Sequence, residues 1–479
     1  MAHGNRPRTA SIHILDDDSL LHVFNLYHPF SLGEDEDRYA RLQGGSEPWV
    51  RGRWWYKLAH VCQRWRSILL GSASYLDISL VCTYGTPVAE MLAHSPPLPL
   101  VIDYSEENHD ISAEDEEQII LALRHRDRVS RVRLEANLKK HILAMDEEYP
   151  ILEYLIVTPP RSPVDDTSAV LIFPESFRAS HLRHLMLGGF VLPIGSRILT
   201  SAVGLVTLCL VMEEPSTYFH LNTFLRWISF TPQLETLIIR FSLPVHMRDV
   251  ERQLMDTPIT TLVTLPNLHY FRFDGVSTYS EVILPRITAP RLQKLEFVFF
   301  SQLTFFVPRI LQLMNTTENL KFDTARFRFF GKRVRLALYL RGVKMVPLVV
   351  AVDCWHLDWQ VSSMVQISNS LSQVFSVVDH LVLEHRVHSL SSEEHNEVNR
   401  TEWRELLRLF RNVKTLMIEE GLVEALSRCL QLEGGELPLE LLPKLQELTF
   451  PRGYNNRHAF TSFINARENA GQAVTLVFP

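Results

Sequence analysis

One six-residue pattern, apolar-x-x-apolar-x-apolar, recurs along this chain and restricts its fold more than any other feature. Its copies start at Val129 (VSRVRL), Leu152 (LEYLIV), Leu182 (LRHLML), Leu205 (LVTLCL), Leu234 (LETLII), Leu268 (LHYFRF), Leu292 (LQKLEF), Val378 (VDHLVL), Val413 (VKTLMI) and Leu445 (LQELTF). Successive starts are 23, 30, 23, 29, 34, 24, 86, 35 and 32 residues apart. The alternation inside each copy suits a short strand with one buried face. A single strand with its return segment cannot bury its own apolar side, so copies must stack on their neighbours. The gap of 86 residues has room for two degenerate units, and the apolar runs Val334–Leu340 and Leu348–Val352 would supply their strands.

This is the logic of leucine-rich repeats. The return segments read as helices. Thr401 is placed to cap one that carries Trp403, Leu406, Leu407 and Phe410 at helical spacing. Leu221, Phe224, Leu225 and Ile228 repeat the spacing, and Phe460, Phe463 and Ile464 begin it again. Regular repeats carry Asn or Cys eight positions after the first leucine; only Asn137 does so here, with Phe190, Ser242, Val276 and Gly453 among its equivalents. The expected fold class is therefore α/β, with a short N-terminal helical module followed by an irregular leucine-rich-repeat solenoid on a parallel, curved sheet. The competing reading is an ordinary α/β domain with chance matches.

Bulk properties fit a globular chain of 479 residues, 46% hydrophobic and 22% charged. The formal net charge of −7 argues against a uniformly basic nucleic-acid binder. Five dispersed cysteines without a C-x-x-C pair read as reduced thiols of an intracellular protein, cytoplasmic or nuclear. The N-terminus has no signal-peptide core, and the most apolar stretch, Phe297–Leu313, is interrupted by Ser301, Gln302, Pro308 and Arg309, so no membrane span is expected.

At the N-terminus, Asp16, Asp17 and Asp18 precede a short amphipathic run, Leu20, Leu21, Val23, Phe24 and Tyr27. The polar stretch at 29–53, rich in turn residues, reads as a mobile loop. A longer helix follows, with Trp54, Leu58, Val61, Cys62, Trp65, Ile68 and Leu69 on one face.

Here the chain resembles the F-box family. ILDDDSLLHVF is similar to the opening L-P-x-E/D-L-L-x-x-I-F, with Asp16 where proline is usual. LAHVCQRWRSIL is similar to the V-C-x-x-W signature, and YLDISL at Tyr75 resembles the closing strand. The match covers residues 12–80, with the 29–53 insertion inside it. The layout, with the stretches around 358–363 and 401–416, is similar to F-box proteins abundant in mushroom-forming fungi. The resemblance implies docking onto a Skp-type adaptor of an SCF cullin–RING ubiquitin ligase. Carried onto matching positions, it implies adaptor-binding roles for Leu15, Leu20, Leu21, Val23, Phe24, Val61, Cys62 and Trp65. Some of these face the adaptor and others hold the module together; sequence does not separate the sets. The plainer alternative is that both apolar stripes are internal core.

Residues 81–128 form a connecting strand–helix segment, a first irregular repeat, before the array at 129–479. Thr86 and Pro87 are placed to start a helix, and PPLPLVIDY reads as a strand. Eight acids at 103–117 and the basic run Arg124, Arg126, Arg128, Arg131 and Arg133 suit the two ends of a helix dipole, against the alternative of an electrostatic docking site. No nucleophile-elbow, Walker or dinucleotide motif occurs. His181/His184 and His385/His388/His395, with Glu393, Glu394 and Glu397, read as surface residues, so no catalytic centre, metal or cofactor is expected.

Alternation places Arg131, Arg133, Tyr270, Arg272, Asp274, Lys294, Glu296 and Glu384 at exposed strand positions, a mixed-charge face suited to a protein target, or simply surface decoration. The expected function is non-catalytic target recognition within a ubiquitin ligase, by a monomer outside that complex, without nucleic-acid or membrane partners. The alternative is a protein-interaction scaffold not coupled to degradation.

Overall fold

The computed structural model describes residues 15–27, 54–105, 111–135, 141, 144–158, 171–212, 220–241, 259–315, 317, 320–343, 345–386, 400–432, 436–451 and 458–478. The insertion at 29–53, Asn137 and the His388–Glu397 stretch lie outside the described residues. The chain divides into two compact units, Met1–Gly204 and Leu205–Pro479, each mixed α/β around a mostly parallel sheet.

The first unit begins with the helices Asp17–Leu26, Trp54–Ala59 and Gln63–Gly71. Its strands are β1 (Leu80–Cys82), β2 (Leu100–Tyr104), β3 (Val129–Glu135), β4 (Tyr154–Thr158), β5 (Leu171–Ile172), β6 (His184–Gly188) and β7 (Phe190–Val191). β1, β2, β3, β4 and β6 form a parallel sheet in that order, and β5 pairs with β7 separately. The connecting segment thus contributes two strand–helix steps, with helices Val88–His94 and Ala113–Leu123.

The second unit contains β8 (Thr207–Met212), β9 (Thr236–Phe241), β10 (Val263–Thr264), β11 (Tyr270–Gly275), β12 (Ile287–Thr288), β13 (Lys294–Phe300), β14 (Thr324–Phe330), β15 (Arg333–Tyr339), β16 (Leu348–Asp353), β17 (His380–Arg386), β18 (Thr415–Ile418), β19 (Glu447–Thr449) and β20 (Thr475–Val477). Its main sheet runs β8-β9-β11-β13-β16-β15-β14-β17-β18-β19-β20, with β10 and β12 paired apart from it.

Every copy of the sequence pattern contributes a strand, and its three apolar positions are buried; none of them is more than 2% exposed. Register is fixed before most strands begin. The residue after the first apolar position donates its backbone N–H to the carbonyl of its counterpart one unit earlier: Arg183 to Glu153 (2.9 Å), Gln293 to His269 (2.9 Å), Gln446 to Lys414 (2.8 Å). Return helices close the core from one side of the sheet. On Arg400–Arg408, Trp403 meets Phe329 of β14 edge-on at 5.5 Å, and Phe410 just beyond meets Phe327 at 5.9 Å.

The 86-residue gap departs from expectation. It holds three strands, and β14, β15 and β16 form an antiparallel meander laid in reverse order between β13 and β17. The outer two keep the direction of the array, since β16 runs parallel to β13 and β14 to β17. The reversal brings together the two connections that span it. Gln366 on helix Leu357–Ser370 accepts from the Phe305 N–H (2.7 Å), and Gln360 donates to the carbonyls of Phe330 (2.7 Å) and Cys354 (2.9 Å). Two stacked repeats are thus replaced by a two-residue hairpin turn, which places β15 against β14 before any helix intervenes.

Other expectations change locally. The helix read from Trp54 to Leu69 is two helices, because Cys62 is extended (φ −161°, ψ 169°) and its Sγ caps the second, while Arg66 donates to the Ala59 carbonyl at the end of the first. YLDISL is mostly a turn with Asp77 at φ 48°, and the strand begins only at Leu80. Thr86 caps no helix; its Oγ1 accepts from the Thr83 N–H, and Gln118 accepts from Val88 instead. Thr401 sits inside its helix rather than before it.

Candidate functional site

Two surfaces carry the residues singled out by sequence. The first is formed by the N-terminal helices. Asp16, where a proline would be usual, is the N-cap of Asp17–Leu26 and accepts from the Ser19 N–H at 2.7 Å. Hydrogen bonding from the Ser19 side chain, together with that N–H, holds its carboxyl below the usual carboxylate range. Arg64, on the third helix, donates to Asp17 (2.6 Å) and to the Leu15 carbonyl (2.7 Å), joining the two motif segments. Phe24 meets Trp65 edge-on at 4.9 Å, and Trp55 donates its indole N–H to the Ser79 carbonyl beside β1.

The eight motif residues divide by exposure. Leu20 and Phe24 are fully buried, and Leu21, Cys62 and Trp65 are half-buried. Leu15 (37%), Val23 (44%) and Val61 (56%) are exposed. The structure therefore removes Leu20 and Phe24 from any docking face: they lie on the helix side that closes the module's own core. Leu26 (77%) and Tyr27 (55%) extend the exposed apolar set.

The second surface is the sheet face opposite the helices. Strand alternation puts all eight expected target-facing residues on outward positions, but they fall into three groups. In the first unit, Arg131 pairs with Asp77 (2.7 Å) and lies over the Tyr154 ring (4.9 Å), which stacks on His184 (4.3 Å). Arg133 pairs with Glu135 (3.8 Å).

In the second unit, Tyr270, Arg272, Asp274, Lys294 and Glu296 form one network. Arg272 donates twice to Asp274 (2.9 Å each) and pairs with Glu296 (3.3 Å); Tyr270 donates to Glu296 (2.9 Å). Arg240 of β9 donates to Asp274 from the other side (3.0 Å). Burial pushes the Glu296 carboxyl up, but Arg272 and Lys294 outweigh it and hold the group below its usual range. Burial and the Glu296 charge together raise the Tyr270 phenol. Glu384 lies apart on β17, shared between Arg326 and Arg328 of β14.

Tyr270, Asp274, Glu296 and Arg133 are buried rather than exposed. Strands about 4.8 Å apart let long side chains on adjacent strands lie across one another, so an outward position is not automatically an accessible one. The more accessible members of the face are arginines that the repeat pattern did not flag, Arg240, Arg326, Arg328 and Arg333. For the last three the signal was present as the two-residue alternation of ARFRF and RVRLAL, read from period rather than from leucines.

Among the described residues no group of three His, Cys, Asp or Glu side chains is arranged to hold a metal ion. Burial pushes the thiols of Cys209, Cys354 and Cys429 up to about 12, so they are neutral near pH 7. No helix among the described residues is long and apolar enough to cross a membrane.

No family model matches the chain, and no curated protein matches it. Among solved structures, the crystal structure of a TLR13–ssRNA13 complex is similar over 83% of this chain, at 11% identity and a TM-score of 0.30. The chain spans about half of that protein, 48% of its length.

Proposed function

We propose that this chain is a non-catalytic recognition subunit of an SCF-type cullin–RING ubiquitin ligase. In this reading the N-terminal helices form an F-box-like module that docks a Skp-type adaptor. The strand–helix array is a degenerate leucine-rich-repeat solenoid that presents its sheet face to a protein target.

The observation that carries the reading is the division of the motif residues. A module that served only as core would bury its apolar stripe. Here Leu20 and Phe24 build the core, while Leu15, Val23, Leu26, Tyr27 and Val61 stay exposed. An exposed apolar set is a liability unless something covers it. Each anchor of this size contributes roughly 1.5–3 kcal/mol when buried, against an association cost of about 4–15 kcal/mol. Several together sustain a complex; one alone does not.

The test is co-purification of the full chain with a Skp-type adaptor. The double variant V23D/V61D should lose the adaptor while its unfolding free energy stays within about 0.5 kcal/mol of the wild type, because both side chains are exposed. Adaptor binding that survives both substitutions would falsify this docking face. Slower turnover of captured partners in cells carrying the variant supports delivery to degradation; unchanged turnover makes the chain a scaffold.

A further inference from the structure

We propose that the outward face of β14 and β15 binds an acidic protein segment through Arg326, Arg328, Arg333 and Arg335. This deepens the target-recognition half of the proposed function and rests on it, but is independent of the adaptor half.

The hairpin places like charges directly opposite one another: Arg328 faces Arg335 across the antiparallel pair. Such a pair repels unless an anion lies between its members. Among the described residues no carboxylate is left over to supply one. Glu384 is divided between Arg326 and Arg328, and Asp353 is taken by Arg333. Glu296, whose charge responds to Arg335, is already engaged by Arg272, Lys294 and Tyr270. The Nε of Arg335 is buried with no hydrogen-bond partner among the described residues. Arg326 is an ion-pair partner of Glu384 at 3.4 Å, yet among the described residues its Nε makes no hydrogen bond.

The surroundings suit an extended chain. Arg335 is in register with Ala351 and Arg326 with Ala337, so an alanine stands directly beside each of these two arginines. Arg326 is held 5.0 Å over the Tyr339 ring, which orders its planar fork before any ligand arrives. Guanidinium forks recognise carboxylate and phosphate in two-pronged geometry, so the chemistry points to glutamate or aspartate side chains, or to a phosphorylated residue, on a partner.

The test uses the full chain and fluorescence anisotropy with four labelled probes: hexaglutamate, a glycine hexapeptide bearing one phosphoserine, hexalysine and a single-stranded RNA hexamer. One of the acidic peptides should bind, and R328Q/R335Q should weaken it by at least about tenfold. E384Q removes the internal competitor and should tighten it about threefold. The tighter of the two acidic peptides identifies carboxylate or phosphate as the recognised group. R328Q/R335Q relieves repulsion and should melt no lower than the wild type, and it should retain the adaptor, which separates failure here from failure of the docking module. Undiminished binding by R328Q/R335Q, no binding of either acidic peptide, or tighter binding of the RNA than of both would overturn the proposal.

Discussion

Arg467 is fully buried at the C-terminal end of the array, and its guanidinium donates to the carbonyls of Leu441 (3.2 Å), Pro443 (3.3 Å) and Leu445 (3.3 Å). It acts as a polar rivet that satisfies the turn before β19, a task that apolar periodicity does not announce. R467A should destabilise the protein by about 2–4 kcal/mol in urea unfolding, because several buried acceptors lose their donor at once. R467K should not restore stability, since an ammonium lacks the planar fork. Glu281 offers a second residue-scale test. It accepts the Arg309 N–H at the start of helix Pro308–Asn315 (3.1 and 3.2 Å), yet burial raises its carboxyl from 4.5 to about 7. A carboxyl raised in the folded state stays protonated while its unfolded counterpart ionises. Its contribution therefore declines as pH rises from 4.5 to about 7 and is constant above. Thermal melts of E281Q against wild type should show the variant gaining relative stability across that window; parallel curves would refute the shift.

At the scale of elements, the meander β14–β15–β16 is the decisive departure from a plain repeat. Two long connections span it and meet where Gln366 accepts from the Phe305 N–H, while Gln360 ties the carbonyl at the end of β14 to that of Cys354 just after β16. Q360A should cost about 1–3 kcal/mol, as two carbonyls lose a shared donor. Hydrogen exchange should rise first at the β14–β15 turn. The motif-bearing strands were legible in sequence because three apolar positions per copy are all buried. The meander was not, because Val334–Leu340 and Leu348–Val352 give the same apolar signal whichever way the strand runs. Direction is set by connection length, and here a two-residue turn sets it. The N-terminal helix break at Cys62 was illegible for a related reason: the helical spacing of apolar residues continues through it in sequence, although the first helix buries Trp55 and Ala59 instead.

For the whole molecule, stacking makes stability a sum over neighbours. In the second unit the strands shorten from seven residues in β13 to three in β19 and β20, and β20 is an edge with largely exposed side chains. Amide exchange by mass spectrometry should therefore show protection falling from β11 and β13 toward β20, with β20 exchanging first. Uniform protection would mean that this unit unfolds all at once instead. The sequence by itself determined that the chain stacks strand–helix units, which residues fill the core, and which helices face it, because burial demands a period that composition displays. Only tertiary structure decided which motif residues at the N-terminus are core and which are exposed. It also decided that four of the eight outward positions singled out from the sequence are buried by their neighbours, and that four arginines lie on one hairpin. The physical reason is common to these cases: periodicity reports one side chain's distance from the core, whereas accessibility and charge pairing depend on residues brought alongside from distant parts of the chain.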